Sequence, residues 1–199
     1  MYSKSGGTAL DHLLYQYGTE NGGYFVGNPE RGDYPHCQLI LDLDRVPVVI
    51  GPMVVSSTRY GYGMRLTARM QARFEKAFYM EILPQNLLQR GIQLLEREEK
   101  IQLRDEELEE KYLIKGSDPD LIRLILSGSS AAALLKKTKA FRILAEPVDK
   151  DEKLHTIQVI CSKNIEETGI LEKPVSKEDV ELTATLCREI YEAVCRFVR

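Results

Sequence analysis

No stretch of this chain approaches the roughly 20 consecutive apolar residues that a membrane-spanning helix needs. Its first residues, MYSKSGGTALDHLLYQYG, also lack the apolar core of a signal peptide. Both absences lead us to expect a cytoplasmic protein without membrane insertion. Cysteine is scarce: Cys37, Cys161, Cys187 and Cys195 form no CxxC pair and no spacing with His12, His36 or His155 that would build a zinc site. Cys187 and Cys195 fall on one expected helix, separated by about 12 Å of rise, too far apart for a disulfide. Four reduced thiols and no metal site or cofactor are therefore expected. The net charge is only −3 although 29% of residues are charged, so no global field recruits nucleic acid or an anionic membrane. No GK[ST] closes the glycine-rich stretch from Gly18 to Asp33. It reads as a loop anchored by Tyr24 and Phe25 rather than a phosphate-binding loop.

What is present is enough apolar residue for one large core: 43% of 199 residues. The chain reads as one domain, or as two α/β halves (about 1–99 and 100–199) that share a core. Thr8 can cap a short helix with Leu10, Leu13 and Leu14 on one face and Gly18 at its end. Cys37, Leu39, Leu41 and Leu43 alternate with Gln38, Asp42 and Asp44, the period of a half-buried strand. Val46 to Val55 is almost continuously apolar but contains Pro47, Gly51 and Pro52, so an edge strand or a bent loop over the core is predicted. Met64, Leu66, Ala68, Met70 and Ala72 alternate with Arg65, Thr67, Arg69, Gln71 and Arg73, which predicts a long strand with a basic outer face. Phe78 to Leu83 reads as another strand. Pro84 should then open a helix with Leu87, Leu88, Ile92 and Leu95 inward.

The segment from Ile101 to Lys137 carries the densest local signals. Leu108, Tyr112 and Ile114 share a parity opposite to Glu107, Glu109 and Lys111, which predicts a strand ending at Gly116. Asp118 before Pro119 is an N-cap followed by a proline where no N–H is needed. The helix it opens is apolar nearly all round, which predicts burial of Leu124 among others, and Ser127-Gly128 should end it with Gly128 left-handed. A second short helix from Ala131 finishes in Lys136 and Lys137. Phe141 to Ala145 and His155 to Cys161 then form a hairpin, and Ser176 with Asp179 caps a terminal helix. This order predicts an α+β fold, a mainly antiparallel sheet with helices packed on one side.

An acidic run, Tyr112-Leu-Ile-Lys-Gly-Ser-Asp-Pro119, two helices, a hairpin and a final helix resemble the C-terminal half of a group of bacterial proteins classed as domains of unknown function. The resemblance spans roughly residues 100–199, and Asp33-Tyr34-Pro35 ahead of a strand is similar to the same group. Leu108 departs from it, standing where phenylalanine is usual. The resemblance implies a fold and transfers no catalytic residue.

Two features have the chemistry to bind something. Arg59, Arg65, Arg69 and Arg73 share a parity, so one strand face could grip a phosphate or carboxylate, with Asp42 or Asp44 as acid or base. The same arginines could equally be a solvated face paired with Asp42 and Asp44 across the sheet. Tyr60 and Tyr62 lie on the opposite parity, which argues against a nucleic-acid platform. His36 and Cys37, as strand neighbours, point apart and make no dyad. The second feature is the Val46–Val55 segment, whose crowded apolar side chains either fold over their own sheet or form a homodimer interface. The leading expectation is a non-enzymatic regulatory or protein-interaction domain. The alternative is a small anionic-ligand binder or enzyme built on the arginine-lined strand 59–73.

Overall fold

Alternation decides which side of each strand is covered. The computed structural model describes residues 9–27, 37–43, 46–58, 61–85, 100–137, 141–148, 151–164 and 175–198. Thr8, the Asp33–Pro35 motif, His36, Asp44, Arg59, Tyr60 and the helix expected after Pro84 lie outside them. The strands are β1 (Tyr24–Val26), β2 (Gln38–Leu43), β3 (Val46–Thr58), β4 (Gly61–Arg73), β5 (Met80–Pro84), β6 (Tyr112–Gly116), β7 (Phe141–Val148) and β8 (Asp151–Asn164). They form one open antiparallel sheet in the order β1-β2-β3-β4-β8-β7-β5-β6. The helices among the described residues are α1 (Ala9–Glu20), α2 (Glu106–Lys111), α3 (Pro119–Ser127), α4 (Ala131–Lys137) and α5 (Lys177–Phe197). The fold is α+β, as the element order predicts.

The chain forms two compact units, Met1–Met70 with Ile160–Thr185 and Gln71–Val159 with Leu186–Arg199. In the first, Leu39, Leu41, Val48, Ile50, Leu66, Ala68 and Met70 are buried on one sheet face. Helix α1 lies on that face and buries Leu10, Leu14 and Tyr17. Gly18 does not end α1 as expected. It lies inside the helix, where a Cβ would sit 2.5 Å from Leu39 Cδ1, so glycine serves close packing rather than termination. The start of α5 bears the expected cap: Ser176 N–H and Oγ donate to Asp179 Oδ2 at 2.8 and 2.7 Å, and Asp179 N–H returns to Ser176 Oγ at 3.3 Å.

Strand β3 corrects the edge expectation for Val46–Val55. It pairs with β2 from Val46 to Ile50 and with β4 from Val49 onward, so Val49 and Ile50 are paired on both sides. Pro47 and Pro52 flank that doubly paired stretch. Each sits where β3 needs one neighbour, which is how a central strand tolerates two missing N–H donors.

In the second unit, Met80, Ile82, Tyr112, Ile114, Phe141, Ile143, Ala145, Ile157 and Val159 form the core face, covered by Ile122, Ile125 and Leu126 of α3 and by Cys187, Ile190 and Val194 of α5. Pro84 ends β5 opposite Tyr112. Phe78 precedes the strand rather than joining it, and its N–H donates to His155 Nε2 at 3.0 Å.

Leu108 belongs to helix α2, not to the predicted strand. Asp105 Oδ1 accepts from Leu108 N–H at 3.3 Å as N-cap, and three glutamates stand near the positive helix end. Glu109 reaches back to accept from Leu103 and Arg104 N–H at 2.7 and 3.0 Å, holding Arg104 at φ 64°. Period two and period 3.6 coincide for a buried residue at 108 followed by one at 112, which is why parity misled there.

Asp118 caps α3 as expected, accepting from Leu121 N–H at 3.1 Å. Gly128 ends it at φ −91°, outside the left-handed region. Glycine is needed because a Cβ would lie 2.8 Å from Phe197 Cε2. Leu124 is 51% exposed, so α3 buries one face and not its whole circumference.

Candidate interaction surface

The face of the first unit's strands opposite α1 carries both features that the sequence singles out. Tyr24 is registered with Ile40, Ile40 with Val49, and Val49 with Arg69, giving one row across β1, β2, β3 and β4. A parallel row pairs Met53 with Arg65. Between the two, Thr67 stands opposite Gly51 and donates to its carbonyl at 3.1 Å, while Gln38 leans over Gly51, whose Cβ would lie 3.3 Å from Gln38 Cγ. Two small residues therefore separate two rows of large ones.

Exposure on this face is uneven. Ile40, Val49 and Met53 are half-buried and Gly51 and Thr67 are buried, whereas Asp42, Pro47 and Arg69 are exposed. Tyr24 is 71% and Val26 44% exposed at the β1 edge of this face, while on the α1 side of the same edge Tyr15, 49% exposed, meets Phe25 edge to face at 5.6 Å. These are three of the four exposed large hydrophobic residues among those described, the fourth being Leu124. Such residues scattered singly need no explanation, but a cluster at one end does.

The sequence-derived site residues separate. Arg65 is half-buried. Arg69 is exposed and makes no ion pair with any described residue. Arg73 is held at 2.7 Å by Asp151, both groups being open to solvent, a pair that contributes little. The expected pairing of the arginines with Asp42 across the sheet is not made, because β3 lies between β2 and β4 and Asp42 is opposite Pro47. Arg59 and Asp44 fall outside the described residues. The row through Tyr24 and Ile40 escaped the sequence reading because β1 is a three-residue strand inside a glycine-rich loop. Its only signal is Tyr-Phe-Val between glycines.

The other candidates are structural. Cys37, Cys161 and Cys187 are buried and Cys195 is half-buried, all four as free thiols. Burial pushes the Cys187 thiol up, beside its donation toward the Ile157 carbonyl. His155 is fully buried: Nδ1–H donates to Lys153 O at 3.2 Å and Nε2 accepts from Phe78 N–H. Among the described residues no group of three or more His, Cys, Asp or Glu side chains could hold a metal ion. In the second unit Glu81 is buried under a double donation from Arg142 and a bond from Tyr79 Oη at 3.0 Å. Burial first, then that bond, pushes the Tyr79 phenol up to about 12. A shallow depression of about 330 Å³ lined by Ser127–Ser130, Glu189, Glu192 and Arg196 is closed at one side by Arg196 donating to Gly128 O at 3.3 Å.

No described helix is long and apolar enough to cross a membrane. Comparison with protein-family models finds no match, and comparisons with curated proteins and with solved structures find no significant match.

Proposed function

We propose that this chain is a non-enzymatic protein-interaction domain of the cytoplasm that pairs with a second copy of itself through the sheet face of its first unit that lies opposite α1. The observation that carries the reading is the registered row Tyr24–Ile40–Val49–Arg69, which sets half-buried aliphatic side chains between an exposed tyrosine and an exposed guanidinium on the sheet face opposite α1. Interfaces favour this mixture of aromatic, aliphatic and arginine side chains. The Val46–Val55 segment lies at its centre: Val48 and Ile50 fill the core, while Pro47, Val49 and Met53 face outward. Four free thiols support a reducing compartment. A protein partner is favoured over nucleic acid because the row is mainly apolar and the chain is net acidic.

Sedimentation equilibrium across a broad concentration range tests the proposal, with Val49→Asp as the probe and circular dichroism as the check on folding. A wild-type dimer and a folded monomeric variant are expected. A wild type that stays monomeric at every concentration refutes it. A second reading, a small anionic ligand on Arg65 and Arg69, is favoured by Arg69 being exposed without an ion-pair partner among the described residues. Calorimetric titration with inorganic phosphate and with citrate tests that reading. Heat that disappears in Arg69→Gln would support it over the dimer, and no binding of either anion at millimolar concentration would refute it.

A further inference from the structure

We infer that the two copies are related by a two-fold axis running along β3, so that Asp42 of one copy meets Arg69 of the other; this rests on the self-association proposed above. Strands β2 and β4 lie one spacing, about 4.8 Å, on either side of β3. Rotation about a line parallel to β3 and above its outer face exchanges those sides while preserving position along the strand. It lays β2 of one copy over β4 of the other and β3 over β3. Val49 then faces Val49 and Met53 faces Met53, the self-complementary contact that an isologous interface requires.

The charges follow the same rotation. Ile40 and Arg69 belong to one row, so Ile40 is carried over the Arg69 stem, which can cover apolar surface while its head stays polar. Asp42 is opposite Pro47, one outward-facing position further along, or about 6.6 Å from that row. A flexible guanidinium at Arg69 spans that offset. Within one copy the two groups are kept apart by β3; across the axis they approach, and the contact occurs twice. The alternative axis, perpendicular to β3 in the plane of the interface, lays β4 over β4 and sets arginine against arginine. Opposite charges therefore select the first arrangement, since like charges facing each other disfavour association.

Charge exchange in the intact chain tests this. The dimer dissociation constant is measured by sedimentation equilibrium for wild type, Asp42→Arg, Arg69→Asp and the double variant, with circular dichroism confirming that each folds. Both positions are exposed, so the monomer should tolerate either change. Each single variant should weaken the dimer by about tenfold or more, while the double variant should recover to within about threefold of wild type. Raising the salt concentration should weaken wild type and the double variant alike. A wild-type dimer indifferent to the single changes, or losses that simply add in the double variant, overturns this axis and leaves the self-association standing. A monomeric wild type overturns both.

Discussion

Replacing His155 tests how the second unit holds the segment between β4 and β5. The imidazole is completely buried and bonded at both nitrogens, and its ring meets the edge of Phe74 at 5.2 Å. Phe78 lies outside any strand, so no ladder partner replaces the bond from its N–H to Nε2. Phe74 N–H already donates to Lys153 O at 2.8 Å, the carbonyl that also accepts from Nδ1. Loss of the acceptor leaves a buried donor unsatisfied, at about 1–3 kcal/mol. His155→Phe keeps the ring and the Phe74 contact but removes both nitrogens, so about 1–3 kcal/mol should be lost. His155→Ala adds a cavity and should cost more, about 3–5 kcal/mol in all. His155→Gln can place an amide oxygen near the Nε2 position and should cost least. His155→Asn is too short to reach Phe78 and should resemble the Phe variant. Urea melts with unchanged m-values give the four differences. Amide exchange at Phe78 gives an independent readout, accelerated in the Phe and Asn variants and protected in the Gln variant. A Phe variant within about 0.5 kcal/mol of wild type would show that Phe78 N–H is satisfied elsewhere and would refute the reasoning.

Four further outcomes are expected. Leu124→Ala should change stability by no more than about 0.5 kcal/mol because the side chain is half in water, whereas Ile125→Ala, one residue on and fully buried, should cost about 2–5 kcal/mol in the same urea melt. Gly116→Ala should destabilise by about 1–3 kcal/mol: its Cβ would lie 2.3 Å from Ile122 Cδ1 and 2.4 Å from the Tyr79 carbonyl, a backbone atom that cannot rotate away. Lys136, 2.6 Å from Asp105, holds that carboxyl below the usual aspartate range, helped by the Leu108 N–H. A lowered folded-state pKa means the contribution is complete above the unfolded value near 4 and is lost as pH falls through the folded one. The difference between wild type and Asp105→Asn should therefore be largest at neutral pH and vanish in acid melts. Thiol titration without reductant should find Cys195 reacting first in the native state and all four thiols after denaturation; two free thiols in denaturant would contradict the structure.

Local grammar was legible wherever one residue controls one bond. The Asp118-Pro119 start of α3, the Ser176–Asp179 box and the alternation of β4 can each be read without tertiary knowledge, because cap and parity depend only on near neighbours. Errors arose where a residue answers to something distant. Gly18 looks like a terminator until Leu39 presses on it, and Gly128 looks left-handed until Phe197 occupies the space. Leu124 looks buried until α3 is seen to present a single face to the core. Glycine and leucine report crowding and hydrophobicity, and neither names the partner.

The candidate surface was legible in parts and hidden as a whole for the same reason. The arginine parity and the apolar Val46–Val55 run are each visible in the chain, but whether they are neighbours depends on strand order. The prolines suggested that β3 would lie at an edge, where it would have been separated from half of its present partners. In the structure each proline sits at the end of a ladder that the other neighbour continues, so β3 is free to be central. That placement sets Val49 beside Arg69 and Met53 beside Arg65, and it also interposes a strand between Arg69 and Asp42. In the proposed dimer, a second copy turned about β3 would carry the same pattern reversed, so that the two opposite charges held apart within one copy on either side of an apolar strand would meet across the axis.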